Sequence, residues 1–222
     1  MNTLVGTTGG GNTFPGADVP FGMLQWSPDT SPDRSQGGGY DYKDTQLIGF
    51  SLTHISGPGC GVFGDIPILP MVGGLPSGDP GAHLEPFTHA GELGTAGYYT
   101  VQSGTSPITT ELTATEHSAM ARFTYPATSS ADILIKLLGS ENGTASSTAT
   151  VVNDHEVQGS ATVSNNFCGT QSPYTVYFDL VFDQAFSNPQ IINKQGGGRA
   201  ECGVLEVRHD HDPGRAGQGG DL

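Results

Sequence analysis

Short apolar runs, and stretches in which apolar and polar residues alternate, dominate the hydrophobic pattern of this chain. No stretch holds the 3.6-residue period of an amphipathic helix over three turns. The runs are rich in Val, Ile, Thr, Phe and Tyr and are bounded by Gly, Pro, Asn and Asp, which is typical of strands. The predicted strands are Phe21–Trp26, Gln46–Thr53, Asp65–Val72, Tyr98–Gln102, Ile108–Thr115, Ala119–Tyr125, Ile133–Leu138, Thr148–Val152, Glu156–Val163 and Tyr174–Phe182.

Two pairs of these strands are separated by short polar connections and are predicted to form hairpins. One connection is Glu116-His117-Ser118 and the other is Asn153-Asp154-His155. Short strands joined by turn-rich loops predict an all-β fold, an antiparallel β-sandwich.

The abundance of glycine and proline supports many turns and few helices. Gly and Pro supply 34 and 15 of the 222 residues, roughly twice their usual share. A chain of this length can bury a substantial core. We expect one sandwich domain over residues 1–200, followed by an irregular tail over 201–222.

Three glycine-rich loops lie in the first third of the chain, at Gly9–Gly11, Gly37–Gly39 and Gly57–Gly61. Glycine lets the backbone approach a ligand or another domain closely, and binding residues concentrate on loops held by a rigid scaffold. We therefore expect the functional rim here. The alternative, that these are only tight turns, stays open.

The charge balance argues against nucleic acid and anionic membrane surfaces as partners. Eight Lys and Arg stand against 22 Asp and Glu, for a net charge of −14, and no basic cluster occurs. No apolar run approaches 18 residues, so no transmembrane helix is expected. Met1–Gly6 lacks the pattern of a signal peptide, which means either that export is absent or that the true start lies upstream.

The three cysteines, Cys60, Cys168 and Cys202, match no zinc-binding or Cys-x-x-Cys spacing. In an oxidising compartment Cys60 and Cys168 would be able to pair. Two separate buried thiols are the alternative that the sequence leaves open.

The end of the chain differs from the rest. Gly203–Leu222 is read as lacking strand alternation, and its run His209-Asp210-His211-Asp212 superficially resembles a metal site. We interpret this tail as the product of a frameshift near Gly196–Gly203, because a reading frame one base earlier permits a turn followed by a strand. Under this hypothesis the His/Asp run has no function and Cys202 is accidental.

An ordered series of motifs carries a resemblance to a known family. Gly6–Met23 contains Thr-Phe-Pro-Gly-Ala and Pro-Phe-Gly-Met, Ser27–Thr30 reads Ser-Pro-Asp-Thr, and Gly39–Tyr42 reads Gly-Tyr-Asp-Tyr. Gly49–Cys60 reads Gly-Phe-Ser-Leu-Thr-His-Ile-Ser-Gly-Pro-Gly-Cys, with Gly64-Asp65 after it. The chain resembles the N-terminal domain of glycoside hydrolase family 92, the calcium-dependent, inverting, exo-acting α-mannosidases, over about residues 3–190.

The resemblance implies a supersandwich-like domain that packs on an all-helical (α/α)6 domain, which is absent from this chain. The helical domain of the family carries the catalytic acid and base and most calcium ligands. We therefore expect this chain to be the substrate-shaping half of an enzyme acting on mannose-containing glycans, and to be inactive alone. The family is mostly secreted or periplasmic.

The resemblance also implies which residues face the cleft. Backbone carbonyls of Gly10, Gly11 and Asn12 are candidate calcium ligands, since calcium prefers oxygen, although these residues could instead only shape the domain contact. The candidates for substrate binding are Phe14, Tyr40, Tyr42, His54, Ser56 and Asp65. Core packing is the alternative for the aromatic residues, Trp26 among them, and loop bracing is the alternative for His54 and Asp65.

Two further hypotheses stay open at the level of sequence. The same loops would suit a free-standing, lectin-like carbohydrate-binding module without chemistry. The chain would also suit a misfolding remnant of a disrupted gene. Asn142-Gly143-Thr144 is a glycosylation sequon, meaningful only in a eukaryotic secretory route and otherwise a turn.

Overall fold

The computed structural model describes residues 1–34, 37–163, 168, 170–196, 199–209 and 220–221. A single 3-10 turn, Pro80–Ala82, is the helical element of this described part. The strands of the described part are β1 (Ala17–Asp18), β2 (Gln25–Ser31), β3 (Gln46–Ser51), β4 (Ile68–Val72), β5 (Glu85–Thr95), β6 (Tyr98–Ser103), β7 (Ile108–Ala114), β8 (Ala119–Thr124), β9 (Ala131–Lys136), β10 (Thr144–Asn153), β11 (Glu156–Val163), β12 (Thr175–Val181), β13 (Ser187–Gly196), β14 (Arg199–His209) and β15 (Gly220–Asp221).

The strands form one large curled sheet and one small sheet, and every pairing is antiparallel. The large sheet has the order β13-β14-β9-β4-β3-β5-β6-β7-β8-β15, with β2 joined to β3 and β1 joined to β2. The small sheet has the order β10-β11-β12. This architecture confirms the all-β antiparallel sandwich predicted from the sequence.

Both predicted hairpins are confirmed. Strands β7 and β8 pair from Thr109↔Thr124 to Ala114↔Ala119, and Thr115 donates its N–H to the carbonyl of Ser118 across the turn. Strands β10 and β11 pair on either side of the connection at residues 154–155.

The core consists of large side chains that alternate along these strands. Trp26, Phe50, Tyr99, Leu112 and Phe123 are all buried within it. Burying a side chain of this size contributes roughly 1.5–3 kcal/mol relative to leaving it exposed. Because the Trp26 indole is 2 % exposed and donates to the carbonyl of Phe50 at 3.1 Å, core packing is its role.

The structure differs from the predicted strands at β2 and at β5. The strand expected at Phe21–Trp26 begins only at Gln25, as β2. Phe21 precedes this strand and is fully exposed in a turn with φ +63°. Strand β5 was not predicted, because it contains Pro86, two glycines and two glutamates and its pairing with β6 is irregular between Thr88 and Leu93.

The tail also differs from its prediction. Strand β14 runs to His209 and pairs with β9 from Val204↔Lys136 to His209↔Ala131. Leu205, Glu206 and Val207 are buried there, so the expectation of irregular structure is wrong for residues 201–209. Strand β13, which pairs with β14, was also missed. The remainder of the predicted tail lies outside the described residues, apart from the short β15.

No helix in the described ranges has the length and apolar character needed to cross a bilayer.

Candidate functional site

The three glycine-rich loops contact one another in the fold. The N–H of Gly57 donates to the carbonyl of Asn12 at 2.8 Å, and the N–H of Ile55 donates to the carbonyl of Gly37 at 3.1 Å. A Cβ at Gly38 would lie 2.8 Å from the carbonyl oxygen of Thr13, so glycine permits this approach. We call the surface formed by residues 6–14, 37–42 and 54–61 the rim.

Beneath the rim lies a buried carboxylate, Asp29 on β2, that receives three polar side chains. His54 Nε2 lies 3.0 Å and Arg34 Nη2 lies 3.1 Å from Asp29 Oδ1, and the hydroxyl of Ser51 donates to Oδ2. Burial alone would raise the pKa of Asp29, but Arg34, His54 and the hydrogen bonds from His54 and Ser51 hold it below its ordinary value. Asp29 therefore stays a charged anchor for the loops above it.

The backbone of two glycines lies close to the side chains of Asp29 and Arg34. Gly39 has φ +75°, and a Cβ there would lie 2.1 Å from Asp29 Oδ1; a Cβ at Gly64, φ +69°, would lie 1.8 Å from Arg34 Nη2. Arg34 also bridges to Glu141, with 2.6 Å between Nε and Oε1. These two glycines therefore let two loops close over one buried ion-pair network.

His54 is part of this anchor. Its side chain is fully buried, and its second ring nitrogen, Nδ1, lies 2.8 Å from the carbonyl of Gln25. With both nitrogens engaged, the imidazole has the geometry of a loop-bracing residue. The half-buried Phe14 packs on it with ring centroids 5.5 Å apart, and Ser56 is exposed on the same loop. Substrate contact by these residues stays a prediction.

Asp65 joins the segment just before residues 54–61 of the rim to the residue that precedes strand β12. Its Oδ2 accepts hydrogen bonds from Thr53 at 2.7 Å and from Tyr174 at 2.9 Å. Burial and the neighbouring Asp65 raise the pKa of Tyr174, so its hydroxyl stays a donor. Cys60 and Cys168 form a disulfide, with Cα atoms 5.4 Å apart. The disulfide resolves the alternative that the sequence left open.

The two predicted tyrosines have different environments. Tyr40 is completely buried, whereas Tyr42 is 41 % exposed. The Tyr40 hydroxyl donates to Glu92 at 2.8 Å, and Tyr99 donates to the same carboxylate at 2.6 Å. Tyr42 stacks on His89, with centroids 4.0 Å apart and planes 19° apart. Sequence reasoning missed His89 and Glu92, because no motif marks them and their partners lie about fifty residues away in the chain.

The predicted calcium ligands do not form a complete site on their own. Gly10 and Gly11 are exposed, and the carbonyl of Asn12 already accepts from Gly57. Calcium takes roughly six to eight oxygen ligands. Within the described ranges, no group of three or more His, Cys, Asp or Glu is placed to hold a metal ion.

A separate apolar pocket of about 680 Å³ lies between the ends of β2 and β3, the β7–β8 turn and strand β12. Met23, Trp26, Leu52 and Tyr177 are among its lining residues. None of the predicted substrate-binding or calcium-binding residues lines this pocket.

Solved structures of known proteins superpose on the whole of this chain. An α-mannosidase of glycoside hydrolase family 92, BT3965 from Bacteroides thetaiotaomicron, superposes with a TM-score of 0.84 at 28% identity, over 100% of this chain and 32% of that one. The same mannosidase solved in complex with mannoimidazole gives a TM-score of 0.85. An uncharacterized secreted glycosidase from Arthroderma benhamiae is 29% identical over 135 residues, 57% of this chain and 17% of the relative.

The chain thus spans about a third of the length of these solved mannosidases and a smaller share of the curated glycosidase. The profile of the glycosyl hydrolase family 92 N-terminal domain matches residues 1–211, and the chain therefore belongs to this family, as its N-terminal domain.

Proposed function

We propose that this chain supplies the N-terminal, substrate-shaping part of an exo-acting α-mannosidase that acts on mannose-containing glycans with inversion of configuration. The observation that carries the proposal is a match to this family's N-terminal domain over residues 1–211, in a chain whose three glycine-rich loops meet on one rim. The complex of a solved relative with mannoimidazole supports a mannose-type ligand.

Catalysis by the chain alone is not expected. Inverting hydrolysis needs two carboxyl groups about 6.5–9.5 Å apart, one to protonate the leaving group and one to activate water. The buried carboxylates at and below the rim, Asp29, Asp65 and Glu92, hold neighbouring side chains. Since an acid and base act as a unit, half of the pair does not supply part of the rate.

The purified chain is therefore expected to release no mannose from an α-1,2-linked mannobiose, with or without calcium. Mannose release, measured by a coupled assay against a buffer blank, checks this expectation. Calcium-dependent turnover by the chain would contradict the proposal.

A chimera gives the positive test. Replacing the matching third of the Bacteroides α-mannosidase by this chain should retain mannosidase activity, because the rim would again meet the remainder of the enzyme. The relative's own N-terminal third, excised and rejoined through the same junction, is the matched control. A folded chimera without activity, beside an active control, would contradict the proposal.

The proposal also covers the binding of calcium and the cellular compartment of the protein. We expect calcium to be held mainly by residues outside this chain, with backbone oxygens of Gly11 and Asn12 contributing at most part of its coordination. The Cys60–Cys168 disulfide supports an oxidising compartment, which fits a secreted or periplasmic enzyme.

A further inference from the structure

Strand β5 leaves its regular pairing at one point beside the rim. The register between β5 and β6 shifts between Thr88 and Leu93, and Gly91 has φ +82° within this interval. Such bulges re-aim side chains and are common next to functional sites. Here the irregularity places His89 and Glu92 against the loop that carries Tyr40 and Tyr42.

Glu92 is a holder of other side chains. Its side chain is 1 % exposed, and its two oxygens accept hydrogen bonds from the hydroxyls of Tyr40 and Tyr99 and contact the Nδ1 of His89, the last at 2.6 Å. Burial and the adjacent Glu92 raise the pKa of Tyr40 and of Tyr99, so both hydroxyls remain donors. The carboxylate thus fixes the position of the His89 ring.

The outer part of this cluster is open. The His89 side chain is 25 % exposed and Tyr42 is 41 % exposed. Among the described residues, neither His89 Nε2 nor the Tyr42 hydroxyl has a hydrogen-bond partner. The result is a rigid aromatic surface with two unused polar groups. Tyr42 belongs to the rim, and its N–H donates to the carbonyl of Thr7 in the first rim segment at 3.0 Å.

We propose that Tyr42 and His89 form a carbohydrate-binding platform at the edge of the rim, with Glu92 as the positioning residue that holds His89. A pyranose presents an apolar C–H face suited to an exposed aromatic ring. Its hydroxyls suit a ring nitrogen and a phenol, which both donate and accept. The net charge of −14 disfavours an anionic ligand. This platform rests on the proposed function. It adds His89, positioned by Glu92, to the Tyr42 contact that the sequence already indicates.

The buried or half-buried groups of the cluster, which are Tyr40, His89, Glu92 and Tyr99, hold the binding surface in place before a ligand arrives. A stacked, hydrogen-bonded imidazole loses little conformational entropy when a ligand arrives. Satisfying Tyr40 and Tyr99 requires only Glu92; it requires neither His89 nor the stacking of Tyr42 on it.

The test is an NMR titration of the whole chain with methyl α-mannoside and with α-1,2-mannobiose. We expect shifts of the Tyr42 amide and the His89 ring signals, and a loss of affinity of about tenfold in Tyr42→Leu. Tyr177→Leu, the same change at an exposed tyrosine on β12, is the matched control and should bind like the wild type.

The positioning role of Glu92 has its own readout. In Glu92→Gln we expect the ring ¹⁵N signals of His89 to move toward a different tautomer balance, with weaker sugar binding and an unchanged disulfide region. Unchanged chemical shifts of the His89 ring nitrogens would show that Glu92 does not determine the position or tautomer of the imidazole.

Other outcomes overturn the platform while separating it from the proposed function. Shifts confined to Asn12–Phe14 and residues 54–61 would reject the platform and leave the proposed function standing. Wild-type affinity in Tyr42→Leu would reject it too. No shift anywhere at high millimolar sugar would also reject the platform, and the chimera would then decide the proposed function by itself.

Discussion

At the scale of single residues, the sandwich buries several polar and charged side chains, and one of them is a lysine. Lys136 on β9 is 1 % exposed, and its ammonium donates to the carbonyls of Ile48, at 2.6 Å, and His83. Burial lowers the pKa of Lys136 to about 7, against an opposing influence of Asp29, Glu85 and Asp79. A charge in this position costs folding free energy whenever the lysine is protonated.

The pH dependence follows from the sign of this shift. The folded pKa lies below the unfolded value of 10.5, so the unfolded chain binds more protons at a pH between the two. The contribution of Lys136 to stability therefore rises as pH increases from about 7, by roughly 2–3 kcal/mol up to pH 9. Lys136→Met should remove this rise, whereas Lys43→Met, at an exposed lysine, should keep it. Denaturant unfolding at pH 6.5 and 9 measures both, and an equal slope in the two variants would contradict the argument.

At the scale of elements, the sequence pattern predicts a strand well where every second residue of that strand points into the core. Strands β3, β6, β7, β8 and β11 lie close to their predicted bounds because period-2 alternation and polar turns mark them. Strand β2 is buried through Trp26–Thr30 although it contains proline and aspartate, so its position depends on the Asp29 network. Strand β5 also depends on tertiary contacts, because Glu92, within its irregular stretch, contacts His89, Tyr40 and Tyr99.

The candidate site follows the same division. The glycine loops were visible in the sequence, because glycine clusters exceed what turns require. The partners of Asp29 and Glu92 were not visible, because hydrogen bonds between distant segments leave no local pattern. The Cys60–Cys168 pairing leaves no local pattern either, because the two cysteines lie 108 positions apart in the chain.

The disulfide covalently links the rim to Cys168, which lies between β11 and β12 in the chain, and its removal gives a prediction at the scale of elements. It joins residues separated by 108 positions, for which loss of the cross-link costs about 3–5 kcal/mol in the chain-entropy description. Cys60→Ser and Cys168→Ser should each lower the melting temperature and expose residues 56–61 to hydrogen exchange. Cys202→Ser is the control. Wild-type stability in both single variants would contradict a structural role.

At the scale of the whole molecule, strand β12 forms one free edge of the small sheet in the described part. The N–H of Val163 donates to Tyr174 and the N–H of Phe182 donates to His155, so even-numbered residues of β12 bond to β11. The backbone groups of Thr175, Tyr177, Asp179 and Val181 therefore point away from the sheet, and no described strand pairs with them. Such edges are templates for pairing with another chain.

Self-association of the isolated chain is the expected consequence. Tyr177 is 79 % and Val181 is 59 % exposed beside the apolar pocket, while the net charge of −14 opposes contact between copies. Because salt screens this repulsion, light scattering should show a growing associated fraction between low and high ionic strength. Val181→Lys places a charge on the edge of the sheet and should reduce association. Val5→Lys makes the same change in net charge at a more exposed valine near the N-terminus, and it should reduce association less. A monomer at every salt concentration, or equal effects of the two lysines, would show that this edge does not drive association.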